Sequence, residues 1–189
     1  ISWRRTCQAS WGVWPGAVLD GVIYLRHWDE MVEILDRLGR AKKGVVAGGG
    51  LLGVELAWGF RARGLDVAWL IRDNRFWPQM MDAPASRILE EKVEAAGVSI
   101  RKGEEIKEIL GVDGRVAAVR TARGEEIPAD LVGVAIGAVP SLQFLAGSGV
   151  KVDRGVLVDE YLRSSVPDVY AAGDIAQVYD PVHGDHRVH

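Results

Sequence analysis

The sequence predicts an α/β protein built on a doubly wound parallel β-sheet, and three observations support that prediction. Apolar segments with strand character alternate with segments of helical periodicity from about residue 29 to residue 100. A glycine follows each of these helical segments, at Gly39, Gly64 and Gly97. A glycine-rich turn joins the first strand of the run to the next helix. Strands that alternate with helices form parallel sheets, because the helix returns the chain to the starting edge.

The first half of the chain is predicted to contain three helices and three strands. Apolar residues at helical spacing predict a first helix, with Asp29 as its N-cap and Gly39 as its stop. Proline is tolerated in a first helical turn, which allows Pro84 to lie at the start of the third helix. In chain order the predicted elements are helix Asp29–Leu38, strand Val45–Ala47, helix Leu51–Arg63, strand Asp66–Ile71, helix Asp82–Ala96 and strand Val98–Ile100.

The second half is predicted to be mostly strands. The dipeptide Asp113-Gly114 is a strong hairpin signal, because both positions of a tight hairpin turn need positive φ. The sequence Gly173-Asp174 is predicted to lead from a strand into a helix. The predicted strands are Glu105–Leu110, Arg115–Thr121, Leu131–Ile136, which Glu125–Pro128 leads into, Val156–Val158 and Val169–Ala172.

Composition excludes several classes of function. The 189 residues carry a net charge of −3 with no basic stripe, so nucleic acid is not expected as a partner. No apolar run is long enough to cross a bilayer, and Ile1–Arg5 does not resemble a secretory signal, so we expect no membrane and a cytoplasmic location. Cys7 is the single cysteine, which leaves no disulfide, Cys-x-x-Cys or thiolate zinc site within this sequence. Any redox chemistry would therefore come from a bound cofactor.

The histidines near the end of the sequence are the one group that could attract a transition metal. His183, His186 and His189 lie close together with Asp185. A glycine-containing terminal segment of this kind is more often a mobile end, so no metal site is expected.

The glycine turn predicts a dinucleotide site. Gly48, Gly50 and Gly53 form a Gly-x-Gly-x-x-Gly pattern that follows an apolar strand and opens a helix. The first glycine allows a tight turn, the second lets phosphate approach the backbone, and the third lets the helix pack closely on the strand. Together with Gly49, Leu51 and Leu52, these residues would bind a pyrophosphate at the helix N-terminus. The alternative is a glycine turn without a ligand, which the strand-turn-helix context disfavours.

A second turn carries a carboxylate. Asp174 directly follows Gly173 at the end of a predicted strand. Its side chain can accept hydrogen bonds from backbone N–H groups or from the hydroxyls of a sugar-like chain. The alternative is that Asp174 only caps its helix.

Three segments together resemble a known family. They are Gly48–Glu55, Ala135–Pro140 and Ser165–Asp174. In this order and spacing they resemble flavin-dependent pyridine-nucleotide oxidoreductases, in particular the branch with the large subunit of NAD(P)H-nitrite reductase, rubredoxin and ferredoxin reductases, and NADH oxidases. The resemblance implies a Rossmann-like nicotinamide-binding domain inserted in a flavin-binding domain of the glutathione reductase type.

The resemblance also implies domain boundaries. Residues 1–39 would be a partial flavin-domain segment with a linker helix, residues 40–136 the NAD(P)-binding domain, and residues 137–189 a partial FAD-binding segment. Gly173 and Asp174 would bind the FAD ribitol and pyrophosphate, and Ile136 and Gly137 would border the dinucleotide. The flavin domain's own glycine fingerprint and the family's C-terminal interface domain do not occur in this sequence, and Ile1–Trp14 departs from the family pattern. We therefore expect a fragment of a longer enzyme, for which FAD binding is doubtful.

The end of the second predicted strand bears on the choice of nicotinamide cofactor. NAD sites place an acidic residue there for the ribose 2′-hydroxyl, and NADP sites place arginine there for the 2′-phosphate. Here that stretch contains Arg72, Asp73 and Arg75, and the two arginines resemble the pair of NADPH-using relatives. The sequence therefore favours NADPH over NADH, with Asp73 as the residue that would bind a 2′-hydroxyl instead.

The remaining side chains give weaker predictions. In similar enzymes a glutamate at the position of Glu55 lies near the nicotinamide, and the alternative is an exposed helix carboxylate. Trp58 and Trp69 are interpreted as core packing, and Trp77 as a neighbour of the adenine. No catalytic residue is named, because the cofactors themselves carry hydride transfer and the protein positions them.

Two functions remain open at this point. The first is the nicotinamide-binding portion of an FAD-dependent NAD(P)H oxidoreductase that passes electrons to nitrite, an iron protein or oxygen. The second is a truncated nucleotide-binding module without enzymatic activity. For the full-length enzyme, the resemblance also suggests a homodimer.

Overall fold

The computed structural model of the chain describes residues 7–9, 14–25 and 28–187. The described residues divide into two compact units, one within residues 9–137 and one within residues 138–187 together with residues 7 and 8. The predictions made for Ile1–Arg5 and for His189, and most of the departure from the family pattern before Trp14, lie outside the described residues. No helix in the described part of the chain has both the length and the apolar character that crossing a bilayer requires.

The described elements are three α-helices and thirteen short strands. The helices are α1 (Trp28–Arg40), α2 (Leu51–Ala62) and α3 (Ala83–Ala95). The strands are β1 (Cys7–Ala9), β2 (Val22–Ile23), β3 (Lys43–Ala47), β4 (Asp66–Ile71), β5 (Val98–Lys102), β6 (Ile106–Val112), β7 (Arg115–Thr121), β8 (Glu126–Pro128), β9 (Leu131–Val134), β10 (Ala138–Pro140), β11 (Val156–Val158), β12 (Ala176–Asp180) and β13 (Asp185–Arg187).

A five-stranded parallel sheet forms the centre of the larger unit. Its strand order is β2-β9-β3-β4-β5, and every pairing is parallel. The predicted α/β class is thereby confirmed. Helices pack on one face, and the antiparallel sheet β6-β7-β8 covers the other. Both faces of the parallel sheet are therefore buried, which explains why β3 and β9 are almost continuously apolar.

Local sequence signals determine where the helices begin and end. Asp82 caps α3, since its carboxylate accepts a hydrogen bond of 2.9 Å from the N–H of Ala85. The chain turns away after α3 at Gly97, where φ is +92°. The predicted bounds of the first helix are wrong at both ends, because α1 already includes Asp29 and continues through Gly39. Glycine without a left-handed φ costs some helix stability but does not end a helix.

Close packing of α2 on the sheet depends on two glycines that face the helix. The Phe60 ring lies over Gly44 and Gly133 and is only 1% exposed. A β-carbon on Gly44 would lie 2.6 Å from the Phe60 ring. The absence of side chains at these two positions therefore lets α2 approach β3 and β9, which brings the helix N-terminus to the edge of the sheet.

The smaller unit is built from short strands. Strands β1 and β10 form a two-stranded sheet, and β11, β12 and β13 form a second sheet in that order. Its core contains Val156, Val158, Ile175 and Ala176. The predicted hairpin at Asp113-Gly114, by contrast, belongs to the larger unit, where φ is +50° and +78° at the two residues.

Two predictions for the smaller unit are wrong. The segment Val169–Ala172 is not a strand, because only Tyr170 forms a bridge, to Arg163. The turn after Ala172 does not open an α-helix. Gly173–Ile175 forms a single 3-10 turn and the chain then continues as strand β12, whose pairing with β11 and β13 outweighs the local helical pattern.

Candidate dinucleotide-binding site

The site predicted from the glycine pattern lies at the carboxyl edge of the parallel sheet. From β3 the chain proceeds to β4 and β5 on one side, whereas β9 and β2 lie on the other side. The ends of β3 and β9 are joined by a 2.8 Å hydrogen bond from the N–H of Ala135 to the carbonyl of Ala47. In open α/β sheets, ligands bind outside the carboxyl ends of the strands at such a switch point.

Gly48 makes the sharp turn out of β3. Its φ is +130°, and a β-carbon there would lie 2.0 Å from the carbonyl oxygen of Ala135. Both the backbone conformation and the neighbouring strand therefore require glycine. Gly53 has the role expected of the third glycine, because a β-carbon there would lie 1.9 Å from the carbonyl oxygen of Gly48. Helix α2 approaches the turn this closely only because that position has no side chain.

Gly50 differs from these two glycines. It is the N-cap residue of α2 with an extended backbone, at φ −105° and ψ −171°. No atom lies within 4 Å of the position that a β-carbon would take. Neither the fold nor the conformation requires glycine here, so the space above Gly50 is available to a ligand.

Four consecutive backbone N–H groups at the start of α2 are unpaired among the described residues. The N–H groups of Gly49, Gly50, Leu51 and Leu52 have no acceptor among the described residues, and intrahelical bonding begins with Gly53. Unpaired N–H groups at a helix N-terminus bind anions, because the helix dipole and the donors both favour negative charge. No side chain caps this helix, and no acidic residue lies in its first turn. The donors are therefore free for a pyrophosphate.

Two carbonyl groups of the same turn accept hydrogen bonds from tryptophan residues. The buried indole of Trp69 donates from Nε1 to the carbonyl oxygen of Gly48 at 2.7 Å. The N–H of Trp77 donates to the carbonyl oxygen of Gly49 at 2.8 Å. Sequence reasoning missed both contacts, since no pattern links residues so far apart in the chain. They engage the carbonyls of the turn, whereas the N–H groups of Gly49 and Gly50 have no acceptor among the described residues.

The tryptophan predictions have different outcomes. The core-packing interpretation is confirmed for Trp69, which is fully buried and packs edge-on against Phe76 at 5.6 Å. It is wrong for Trp58, which is 53% exposed on α2. Trp77 is half-buried in the loop after β4, and its position beside an adenine stays a prediction.

The residues predicted to choose between NADPH and NADH follow β4 at the same edge. Arg72 is 70% exposed, and its Nε lies 3.8 Å from Asp73 and 3.9 Å from Glu105. Arg75 is half-buried and donates to the carbonyl of Pro78 in its own loop at 3.1 Å. Of the two arginines, Arg72 is thus the one whose guanidinium is open to a ligand.

The other predicted site residues take separate positions. Glu55 is exposed in the second turn of α2, and Ile136 and Gly137 come after Ala135, the residue that follows β9 and contacts the turn at Gly48. Gly173 and Asp174 belong to the smaller unit, where both are exposed in the 3-10 turn. The carboxylate of Asp174 makes no hydrogen bond or ion pair with a described residue, so it is free to accept from a ligand.

A metal site is not found in the described part of the chain, since no group of three or more suitable side chains comes together there. In the tail, His183 Nδ1 lies 2.7 Å from the carboxylate of Asp180. This hydrogen bond, acting against the desolvation of the carboxyl, holds the pKa of Asp180 below its ordinary value.

A parallel sheet whose switch point carries a glycine turn with free N–H donors is the arrangement typical of dinucleotide-binding α/β proteins. Comparison with known proteins gives the family. The model of the pyridine nucleotide-disulphide oxidoreductases matches residues 7–187, and the chain belongs to that family. The resemblance stated from the three sequence segments is confirmed, and the family's cofactors are FAD and NAD(P)H.

Individual relatives agree with this assignment. The chain is 36% identical over 163 residues to a nitrite reductase [NAD(P)H] of Bacillus subtilis, covering 86% of this chain and 20% of the relative. The crystal structure of a ferredoxin reductase from Rhodopseudomonas palustris superposes with a TM-score of 0.91 at 30% identity, covering 97% of this chain and 45% of the other.

A third relative was solved with a nucleotide bound. The water-forming NADH oxidase of Lactobacillus brevis, bound to NADH, has a TM-score of 0.86 at 26% identity, with coverage of 97% and 40%. Its engineered NADPH-oxidase form, bound to NADPH, has a TM-score of 0.85 at 25% identity, with the same coverage. The chain therefore spans less than half the length of each of these relatives.

Proposed function

We propose that this chain is the nicotinamide-binding portion of an FAD-dependent NAD(P)H oxidoreductase, and that it binds the dinucleotide pyrophosphate over Gly48–Gly53. The observation that carries the proposal is the set of four N–H groups, from Gly49 to Leu52, that lack a described acceptor at the carboxyl edge of the sheet. A pyrophosphate would satisfy these donors and the positive end of the helix together. Residues 40–136 would form the NAD(P)-binding domain.

Arg72 supports NADPH as the preferred nucleotide. In the engineered NADPH oxidase, a replaced aspartate lies eighteen positions after a replaced glycine, and a new arginine follows directly. The same spacing counted from Gly53 leads to Ile71 and Arg72, at the end of β4. At that spacing this chain has a buried apolar residue followed by an exposed arginine, but it keeps glycine at the counted position, which the engineered form replaces by alanine. A guanidinium there pairs with a 2′-phosphate but has no such partner in NADH.

The proposal that the protein binds FAD rests on its family and on the turn at Gly173-Asp174. The free carboxylate of Asp174 could accept hydrogen bonds from the hydroxyls of an FAD ribitol, as the resemblance implies. Bound together, the two cofactors would carry hydride transfer from nicotinamide to flavin. Nitrite, an iron protein or oxygen would receive the electrons, and the full-length enzyme would be a homodimer.

The pyrophosphate site is tested by Gly50→Val. The valine has room in the free protein, because no atom lies within 4 Å of the position of its β-carbon, but it fills the space that the phosphate needs. Calorimetric titration should show loss of NADPH and NADH binding with an unchanged circular dichroism spectrum. Gly59→Val is the matched control, since Gly59 is exposed further along α2 and its β-carbon also meets open space. Unchanged affinity in Gly50→Val would place the nucleotide elsewhere.

The preference for NADPH is tested by Arg72→Ala. Loss of a charge-assisted hydrogen bond costs about 1.5–3 kcal/mol, which raises the Kd for NADPH roughly ten- to hundredfold. The Kd for NADH should change less than about twofold, as should both values in the control Arg63→Ala at the exposed end of α2. Equal losses for both nucleotides would show that Arg72 does not bind the 2′-phosphate, and a parent that prefers NADH would point to Asp73. Dye reduction by NAD(P)H with added FAD separates an oxidoreductase from a binding module.

A further inference from the structure

We propose that Glu90, a buried residue of α3 that lies outside the predicted site, is a positioning residue for the dinucleotide. It acts through the loop of residues 72–80, which carries the arginine that would bind the 2′-phosphate. The proposal rests on the proposed function, because it assigns a role in that same nucleotide site. Nothing in the glycine pattern or in the spacing of the arginines points to Glu90.

Glu90 binds the loop at a single peptide. The residue is only 5% exposed, and its carboxylate Oε1 accepts a 2.7 Å hydrogen bond from the N–H of Phe76. Ser86 is fully buried on the same helix, and its Oγ lies 2.7 Å from the carbonyl oxygen of Phe76 and 2.9 Å from that of Asp82, so the contact with Phe76 is the shorter of the two. Two side chains of α3 thus bind both polar groups of one residue in the loop, and the buried Phe76 ring fills the core beside them.

The next residue connects the loop to the glycine turn. Trp77 has φ of +42°, a conformation that a bulky residue keeps only where its surroundings enforce it. Its N–H donates to the carbonyl of Gly49, and its own carbonyl accepts from the N–H groups of Met80 and Met81. Helix α3 therefore fixes Phe76, Phe76 fixes Trp77, and Trp77 fixes one of the two carbonyls that orient the donors for pyrophosphate.

A carboxylate at this position is not explained by packing. The second oxygen of Glu90 accepts from Lys102 Nζ at 2.8 Å, and the nearby core is apolar. Buried ion pairs often contribute no more stability than apolar residues of similar volume would. What the carboxylate provides, and an apolar side chain could not, is an acceptor for the N–H of Phe76. We therefore assign its role to the conformation of the loop.

The substitutions Glu90→Leu and Glu90→Gln distinguish this role from general stability. Leucine removes the acceptor, whereas the glutamine amide oxygen can still accept from Phe76. In calorimetric titrations, Glu90→Leu should raise the Kd for both NADPH and NADH at least tenfold, because the glycine turn serves both nucleotides. Glu90→Gln should stay within about threefold of the parent. Val93→Ala, which trims a buried residue one turn further along α3, should lower the melting temperature without changing either Kd.

Hydrogen exchange of the Trp77 amide provides a readout that does not depend on nucleotide. Its protection should fall at least tenfold in Glu90→Leu and stay near the parent value in Glu90→Gln. If Glu90→Leu does not fold, Ser86→Ala tests the same peptide from its carbonyl side, with an expected three- to fivefold rise in both Kd values.

Three results would overturn the inference. The first is parental affinity in Glu90→Leu, or in Ser86→Ala if that variant is used instead. The second is a loss of affinity in Val93→Ala as large as that in Glu90→Leu, which would reduce the role to stability. The third is a parent chain that binds neither nucleotide, which would refute the proposed function itself and is distinguished from the other two by the parent titration alone.

Discussion

The substitution Trp69→Phe tests the support beneath the glycine turn. Trp69 is fully buried, and its Nε1 donates to the carbonyl of Gly48 at 2.7 Å. Phenylalanine keeps an aromatic ring but removes the donor and leaves a void. The unpaired carbonyl costs about 1 kcal/mol in a partly buried position, and a void adds roughly 1 kcal/mol for each methyl-sized volume. The expected loss in the free energy of unfolding is therefore about 2–3 kcal/mol.

The assay is thermal and urea unfolding followed by circular dichroism. For a chain of this size the expected loss corresponds to a fall of about 5–10 °C in melting temperature. The matched control is Trp58→Phe, the same chemical change at a tryptophan that is 53% exposed on α2, where the expected loss is less than about 0.5 kcal/mol. The reasoning is refuted if the two variants are equally stable. Because Gly48 begins the turn that is proposed to bind pyrophosphate, Trp69→Phe should also weaken NADPH binding.

Three further substitutions have outcomes that follow from single contacts. Glu105→Gln removes a carboxylate 3.9 Å from Arg72 and should tighten NADPH two- to fivefold in calorimetry, the scale of an exposed charge pair, without changing NADH. Gly48 has φ of +130°, and Gly48→Ala places a β-carbon 2.0 Å from the carbonyl oxygen of Ala135. This substitution should lower the free energy of unfolding, measured in urea, by about 3 kcal/mol or more. His183→Ala should raise the pKa of Asp180, measured by NMR, toward its ordinary value. Because the pKa of Asp180 is lower in the folded than in the unfolded state, its carboxylate stabilises the fold at pH values above the unfolded pKa. That contribution is lost as pH falls through the folded pKa, so the parent should lose more stability in acid than the variant.

The sequence predicted those elements of the fold that a local signal is sufficient to specify. The hairpin at Asp113-Gly114 and the strand Asp66–Ile71 agree with the structure, because each follows from adjacent residues. The segments after residue 168 were predicted wrongly. Val169–Ala172 has the apolar character of a strand but lacks a partner strand, whereas Ala176–Asp180 becomes a strand because β11 and β13 lie on either side of it.

The candidate site likewise contains residues that the sequence predicted and contacts that it did not predict. Gly48, Gly50 and Gly53 were predicted from spacing, and the structure gives each a distinct physical constraint: a left-handed turn, open space and a close helix. The contacts of Trp69 and Trp77 with the turn could not be predicted, since each joins residues more than twenty positions apart without a shared motif. Sequence patterns of this kind identify the groups that would touch a ligand, but not the groups that hold them in place.

The arrangement around the turn explains why donors rather than side chains would select the ligand. Each peptide unit of the turn offers a donor and an acceptor, and a ligand with several phosphate oxygens needs donors only. Because Trp69 and Trp77 already occupy the carbonyls of Gly48 and Gly49, those acceptors do not oppose an incoming anion. The N–H groups that remain carry positive partial charge, which the dipole of α2 reinforces. In the proposed site, anion affinity would therefore depend on two tryptophans whose rings need not touch the nucleotide, and on Glu90, which lies further from it.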